Sequence, residues 1–395
     1  MITVNEALTR IKAYTKDFGI EEVPLLQSTK RVLATDVVAD RDFPPYHRVT
    51  MDGIAINTNA FDSGKRDFYI EAVQAAGAPL QMLKEEHNCI EVMTGAVLPG
   101  GTNAVIPYEE CVITDGIASV QPAAIKQYQN VHLQGNDSTA GTVLIPLNTT
   151  ITPAHIGVMA TVGLAKVPVY KLLAVAICST GDELVDIAEI PLPHQIRQSN
   201  SYMLAAALQQ EGITAKLHHL KDDKESMREQ LSIILNECDV LLLSGAVSKG
   251  KFDYLPEVLT TLGMHTIFHR VAQRPGKPFL FGAFEKGKLV FGFPGNPVSS
   301  FVCYHIYCKQ WLRASLRRTT KKVTAHLAKP ISFQPKLDFL VLVTLEYRAG
   351  MLYAIPIMGA NSGDMPSLVN ADGIITLPAE KDNFEEGELF EVQYC

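Results

Sequence analysis

Between residues 171 and 313 the chain alternates short, continuously apolar runs with longer amphipathic stretches, and this alternation restricts the possible folds most. The runs KLLAVAIC, DVLLLS and KLVFGF carry almost no polar residue. A strand can be apolar at every position only when both of its faces are covered. The stretches at about 199–211, 224–236, 254–262 and 297–313 have the length and spacing of helices. ITAKLHHL, MHTIFHRV and PFLFGAF read as further strands. Together they predict a doubly wound α/β domain over 171–318.

The flanking texture differs. Ile2, Val4, Ala7, Leu8, Ile11 and Tyr14 recur near a 3.6 period, which predicts an N-terminal helix. From 49 to 142, short β-rich runs separated by Gly, Pro and Asn turns predict an inserted β module. Thr152 followed by Pro153 has the form of a helix start, and Gly163 of its end. This helix is expected to join the N-terminal one in a discontinuous domain of residues 1–48 and 143–170. From 319 to 395 the runs KVTAHL, LVLVTLEY, LYAIPI, GIITLP and GELFEVQ predict a C-terminal β domain.

Composition narrows the function classes. With 47% hydrophobic and 19% charged residues over 395 positions, the chain has ample material for several cores and is no disordered polymer. Its formal net charge of −7 argues against a dedicated nucleic-acid binder and against adhesion to anionic membranes. No apolar run reaches the roughly 20 residues that a membrane helix needs, and MITVNEALTRIKAY has no apolar signal core. Seven cysteines, none in a C-x-x-C pair, point to a reducing compartment and away from a structural zinc site. The expectation is a cytoplasmic protein.

In open α/β sheets, ligands bind beyond the carboxyl ends of the strands. Three loops there carry small residues that let backbone N–H groups approach a ligand: Ser179-Thr180-Gly181-Asp182-Glu183, Ser244-Gly245-Ala246-Val247-Ser248-Lys249-Gly250 with Asp253 beyond, and Pro294-Gly295-Asn296. None is a Walker or dinucleotide fingerprint. Asp182 and Glu183 fit two readings, ligands of a hard cation such as Mg²⁺ or the acids of a helix start, and Asp253 fits the same two. Arg274-Pro275-Gly276-Lys277-Pro278 is either a rigid cationic loop for an oxyanion or a plain surface turn. Outside this domain, Asp52-Gly53 and Gly135-Asn136-Asp137 are polar turns, and Met93-Thr94-Gly95 ends a strand. His218 and His219 are adjacent in a strand-like run, so they face opposite ways and read as structural.

Taken together, these segments resemble the MoeA family of molybdopterin molybdenumtransferases, which includes the E domain of gephyrin. The resemblance rests on TMDGIA (50–55), VMTGAVLPGGTNAVIPYE (92–109), QGNDSTAGTVLIP (134–146), TPAHIGVMATVG (152–163), CSTGDELV (178–185), QSNSYML (198–204), SGAVSKGKFDY (244–254), RPGKPFLFG (274–282) and GFPGNPVSSF (292–301), in family order. It implies a MogA-like α/β domain, an inserted β module, a C-terminal β barrel and a homodimer with its sites in clefts between subunits. It also implies insertion of molybdate into adenylylated molybdopterin with Mg²⁺-assisted release of AMP, downstream of a MogA-like adenylyltransferase. By motif, Asp182, Glu183 and Asp253 correspond to the metal and pterin-phosphate site, and Arg274 and Lys277 to the molybdate loop. Gly245, Ser248, Gly295 and Asn296 correspond to the loops that cradle the adenylate, and Thr180, Gly181 and Pro294 are further substrate-binding positions. Asp52, Thr94 and Asp137 correspond to cleft residues of the partner subunit.

The chain departs from the family pattern mostly in charged positions: Gln198 and Lys251 each stand for an acid, and Ala246 for glycine and Ile54 for tyrosine are further departures. Val341 falls in a stretch that usually carries arginines, and Ser362 or Ser367 matches a serine of the C-terminal domain. These departures raise the alternative of a non-catalytic or weakly catalytic pterin-binding carrier or scaffold.

Overall fold

The computed structural model describes residues 1–245, 254–319, 322–359 and 363–395. It divides into two compact units. One comprises Met1–Ala34, Asn148–Thr152 and Val167–Cys395, and the other Thr35–Leu147 and Pro153–Lys166.

The second unit holds a mixed six-stranded sheet: β1 (Gly53–Ile56), β2 (Asp67–Gln74), β3 (Cys89–Val92), β4 (Ala104–Pro107), β5 (Cys111–Thr114) and β6 (Ile117–Val120). Its order is β4-β1-β3-β2-β6-β5, and β2 with β3 is a parallel pair. Ile54, Ile56, Phe68 and Ile106 are fully buried in its core. The β5–β6 hairpin turns at Asp115 and Gly116, both at positive φ (50° and 77°), as a two-residue hairpin requires. Gly53 opens β1 against the backbone of β4; a Cβ there would lie 2.8 Å from the Pro107 Cα. That contact gives the Asp52-Gly53 glycine a packing reason. Helix Pro153–Thr161 begins at the expected proline and belongs to this unit.

In the first unit, α1 (Val4–Lys12) starts from a capping box between Thr3 and Glu6. Its buried Val4, Ala7 and Ile11 share one apolar cluster with Val175, Ile177 and Leu242 of the α/β sheet. The N-terminal helix and helix Pro153–Thr161 therefore fall in different compact units, because the apolar stripe of α1 finds its cover on that sheet.

The sheet comprises β7 (Val175–Thr180), β8 (Lys216–Leu220), β9 (Val240–Ser244), β10 (Met264–His269), β11 (Leu280–Phe284) and β12 (Leu289–Phe293), with helices α2 (Asn200–Gln210), α3 (Lys224–Glu237), α4 (Leu255–Thr261) and α5 (Pro297–Cys303) between and after them. Its order is β8-β7-β9-β12-β11-β10. β8, β7, β9 and β12 run parallel, and β11 is inserted antiparallel between β12 and β10. Alternate residues enter opposite clusters, Ile177 and Leu242 on one face, Cys178, Leu241 and Leu243 on the other. This two-sided burial is what the unbroken apolar runs required. The helix that begins as α5 passes through one wide turn, Tyr304–Cys308, before Lys309–Ser315, a detail that its apolar spacing does not announce.

The C-terminal strands β13 (Val323–Leu327), β14 (Asp338–Arg348), β15 (Met351–Pro356), β16 (Gly373–Leu377) and β17 (Leu389–Tyr394) pair in a ring, β14-β15-β13-β17-β16 and back to β14. The chain is thus a multidomain α/β protein with a closed five-stranded C-terminal β barrel. Val341 is 2% exposed inside that barrel, beside Val343, Ile375 and Val392. A guanidinium has no place in that apolar interior. All seven cysteines are free. Among the described residues no helix is long and apolar enough to cross a membrane.

Candidate functional site

Register brings the strand-end loops together. Ser179 of β7 lies opposite Ser244 of β9, and Ser244 opposite Phe293 of β12. The three chains therefore leave the sheet at one level. Gly181 and Gly245 then take positive φ values of 127° and 89°. A Cβ on Gly245 would lie 3.3 Å from the Thr180 carbonyl oxygen, and one on Gly295 would lie 3.9 Å from the Gly245 Cα. Thr180, Gly181, Gly245, Pro294, Gly295 and Asn296 thus converge. The Gly245 N–H donates to the Phe293 carbonyl at 3.2 Å. The Asn200 amide at the start of α2 donates to the Gly295 carbonyl at 2.7 Å, and the Ser300 hydroxyl donates to the Pro294 carbonyl. Ser248 and Asp253, with Ala246 and Lys251, lie outside the described residues, as does Ser362.

Asp182 and Glu183 are exposed at the mouth of this cluster. The Asp222 N–H donates to Asp182 Oδ1 at 3.4 Å. Desolvation holds the Asp222 carboxyl above its ordinary range, and the nearby Asp182 and Glu183 charges add to this. Asp222 escaped the sequence reading, although its place just past β8 beside β7 is a signal that strand order supplies. The chain returns past this loop: the Ile196 N–H donates to the Glu183 carbonyl at 2.9 Å and the Gln198 N–H to the Val185 carbonyl at 3.0 Å. His219 Nδ1 meets the Ser179 hydroxyl at 3.0 Å, a structural role. Among the described residues no three His, Cys, Asp or Glu side chains close into a metal-binding group. The two exposed carboxylates of Asp182 and Glu183 are oxygen donors of the kind Mg²⁺ takes when it shares its shell with substrate phosphates.

The basic loop follows the short strand Gln273–Arg274, which pairs with β14 at Arg274 and Phe339. Arg274 and Lys277 are exposed, whereas Gln273 just before them and Gly276 between them are buried. A Cβ on Gly276 would lie 3.6 Å from the Ser299 carbonyl oxygen. The loop therefore rests on the helix that the Pro294–Asn296 turn begins.

In the second unit, Asp52 Oδ1 accepts from the Thr94 N–H at 2.6 Å and from its hydroxyl at 2.7 Å. The backbone bond first and the hydroxyl second hold the Asp52 carboxyl below its ordinary range. Asp137 Oδ1 meets His132 Nε2 at 2.8 Å, and His132 Nδ1 meets Arg48 Nη2 at 3.0 Å. Since arginine can only donate, His132 accepts at Nδ1 and donates from Nε2 to Asp137. His132 and Arg48 were not legible as a pair, because 84 residues separate them.

Known proteins supply the remaining comparison. Three family models match the chain: the MoeA N-terminal region (domain I and II) over residues 2–163, the probable molybdopterin binding domain over 176–314, and the MoeA C-terminal region (domain IV) over 324–394. A molybdopterin molybdenumtransferase of Synechocystis sp. is 38% identical over 394 residues, covering 99% of each chain. One of Staphylococcus epidermidis is 29% identical over 399 residues, covering 99% of this chain and 95% of the relative. Among solved structures, the molybdopterin biosynthesis MoeA protein of Pyrococcus horikoshii superposes with a TM-score of 0.86 at 28% identity, over 100% of this chain and 99% of that one.

Proposed function

Since the chain belongs to the MoeA family, we propose that it is a molybdopterin molybdenumtransferase of molybdenum cofactor biosynthesis, inserting molybdate into adenylylated molybdopterin with release of AMP. The observation that carries this reading is the convergence of Thr180, Gly181, Gly245 and Gly295 at one sheet edge, beside exposed acids and close to an exposed basic loop. Small residues there let backbone reach a phosphate-bearing ligand, and the cations suit a dianion.

The roles follow from charge. Thr180, Gly181, Gly245, Pro294, Gly295 and Asn296 cradle the adenylate, with Ser248 added from the family pattern. Arg274 and Lys277 receive molybdate. Asp182 and Glu183 would hold Mg²⁺, with Asp253 added from the family pattern. The chemistry such a cation supplies is charge neutralisation on the departing AMP phosphate. Asp52, Thr94 and Asp137 are the residues that the partner of a homodimer contributes, Asp52 being held ionised by Thr94. A MogA-like adenylyltransferase supplies the substrate.

Gln198 favours a second reading. Gln198, whose backbone N–H bonds the Val185 carbonyl, leaves this loop one carboxylate poorer than the family pattern, which suits a pterin carrier better than a catalyst. The test is AMP release from adenylylated molybdopterin with Mg²⁺, with and without molybdate. Molybdate-dependent release is the expected result. Tight pterin binding without release would select the carrier.

A further inference from the structure

A glutamine is an unusual residue to bury completely, because its amide costs free energy unless every polar atom finds a partner. Gln273 is 1% exposed. Its partners account for the whole amide. Nε2 donates to the Pro275 carbonyl at 3.0 Å and to Cys303 Sγ at 3.4 Å. Oε1 accepts from the Tyr307 hydroxyl. Cys303 continues the network by donating its S–H to the Gly276 carbonyl at 3.8 Å. Burial pushes the Cys303 thiol up, so it keeps the proton it donates. The next carbonyl, that of Lys277, accepts from the Val271 N–H at 3.0 Å.

Three successive loop carbonyls, of residues 275, 276 and 277, are therefore turned inward and bonded. Their negative ends point away from the surface where Arg274 and Lys277 are exposed. A site meant for an anion needs this arrangement, since an unbonded carbonyl oxygen aimed outward would repel it. The arrangement also requires glycine at 276. Its φ is 84°, and a Cβ would meet Cys303 Sγ and lie 2.8 Å from Gln273 Nε2.

We propose that Gln273, backed by Tyr307 and Cys303, is a positioning residue that presets the Arg274–Lys277 loop for an oxyanion by holding its carbonyl oxygens inward. The proposal rests on reading that loop as the molybdate site. The plain alternative is a polar plug that only stabilises the fold, and the two differ in what they do to molybdate.

The experiment compares Gln273→Met and Tyr307→Phe with Lys277→Ala in the full-length protein. Four quantities are read: the half-saturating molybdate concentration, kcat at saturating molybdate, the half-saturating concentration of adenylylated molybdopterin, and direct molybdate binding by equilibrium dialysis. Gln273→Met is expected to raise the molybdate requirement about tenfold and Tyr307→Phe about threefold, factors of the size one lost hydrogen bond carries. Saturating kcat and the pterin requirement should stay within about twofold. A lower melting temperature with unchanged molybdate binding in both variants would overturn the proposal. Should Gln273→Met not fold, Tyr307→Phe decides alone, since it removes one oxygen. Lys277→Ala separates the two levels. If it leaves the molybdate requirement unchanged, the reading of the loop itself fails. If it raises that requirement while the other two do not, only the positioning role fails.

Discussion

The two charged loops of the α/β unit are built in opposite ways. Arg274 and Lys277 stand on a loop whose three carbonyls are bonded inward, to Gln273, Cys303 and Val271. Asp182 and Glu183 stand on a loop whose carboxylates are exposed and whose glycine, Gly181, opens onto the Glu183 carboxylate and not onto a packed core. The difference suits their proposed ligands. A dianion gains most from cations and dipoles set before it arrives, because no ordering is then left to the binding step. A Mg²⁺ ion that arrives with substrate phosphates needs carboxylates that can adjust around it.

Paired glycine substitutions give the sharpest break between the loops. Gly276→Ala forces a Cβ into Cys303 and Gln273 at a φ of 84°. It should cost about 3 kcal/mol in urea unfolding. Gly181→Ala has an equally unfavourable φ of 127°, but its nearest obstacle is the mobile end of Glu183 at 2.6 Å. It should cost only about 1 kcal/mol. Equal costs would show that the two loops are equally rigid.

Next in size is Lys277→Ala, which should raise the molybdate requirement about tenfold while stability moves by less than about 0.5 kcal/mol, as for other exposed side chains. Asp182→Asn should lower Mg²⁺-dependent AMP release and leave the unfolding curve unchanged. Unchanged release would remove Asp182 from the mechanism. The smallest effect concerns Asp222. Its raised carboxyl contributes no penalty at pH below its unfolded value, and a growing one as pH rises from there to its folded value. Asp182→Asn removes one of the causes, so the Asp222 titration followed by NMR should move downward. A titration that stays in place would show that the Asp182 charge is not among the causes.

Much of the fold was legible because burial writes itself into local pattern. KLLAVAIC and DVLLLS declared a sheet covered on both faces, and β7 and β9 send alternate residues into two cores. Thr152-Pro153 marked a helix start that the structure places at Pro153. Candidate site residues carried by contiguous motifs, such as Gly181, Gly245 and Gly295, were equally visible. Residues whose meaning is a distant partner were not. Asp222 acquires its role from Asp182, 40 positions away. His132 acquires its role from Arg48 and Asp137, and Gln273 from Tyr307 and Cys303. Val341 read as a site position with a missing arginine, yet its strand phase turns it into the barrel.

The sequence by itself determined the kinds of element, their order and the family, because periodicity, turn residues and short motifs are local and survive without coordinates. Only the tertiary structure decided that α1 covers the α/β sheet, that the last strands close into a ring, and that a buried glutamine holds the basic loop. Each of these depends on which apolar face finds which partner and on where a polar atom satisfies its hydrogen bonds, and both are settled between residues far apart in the chain.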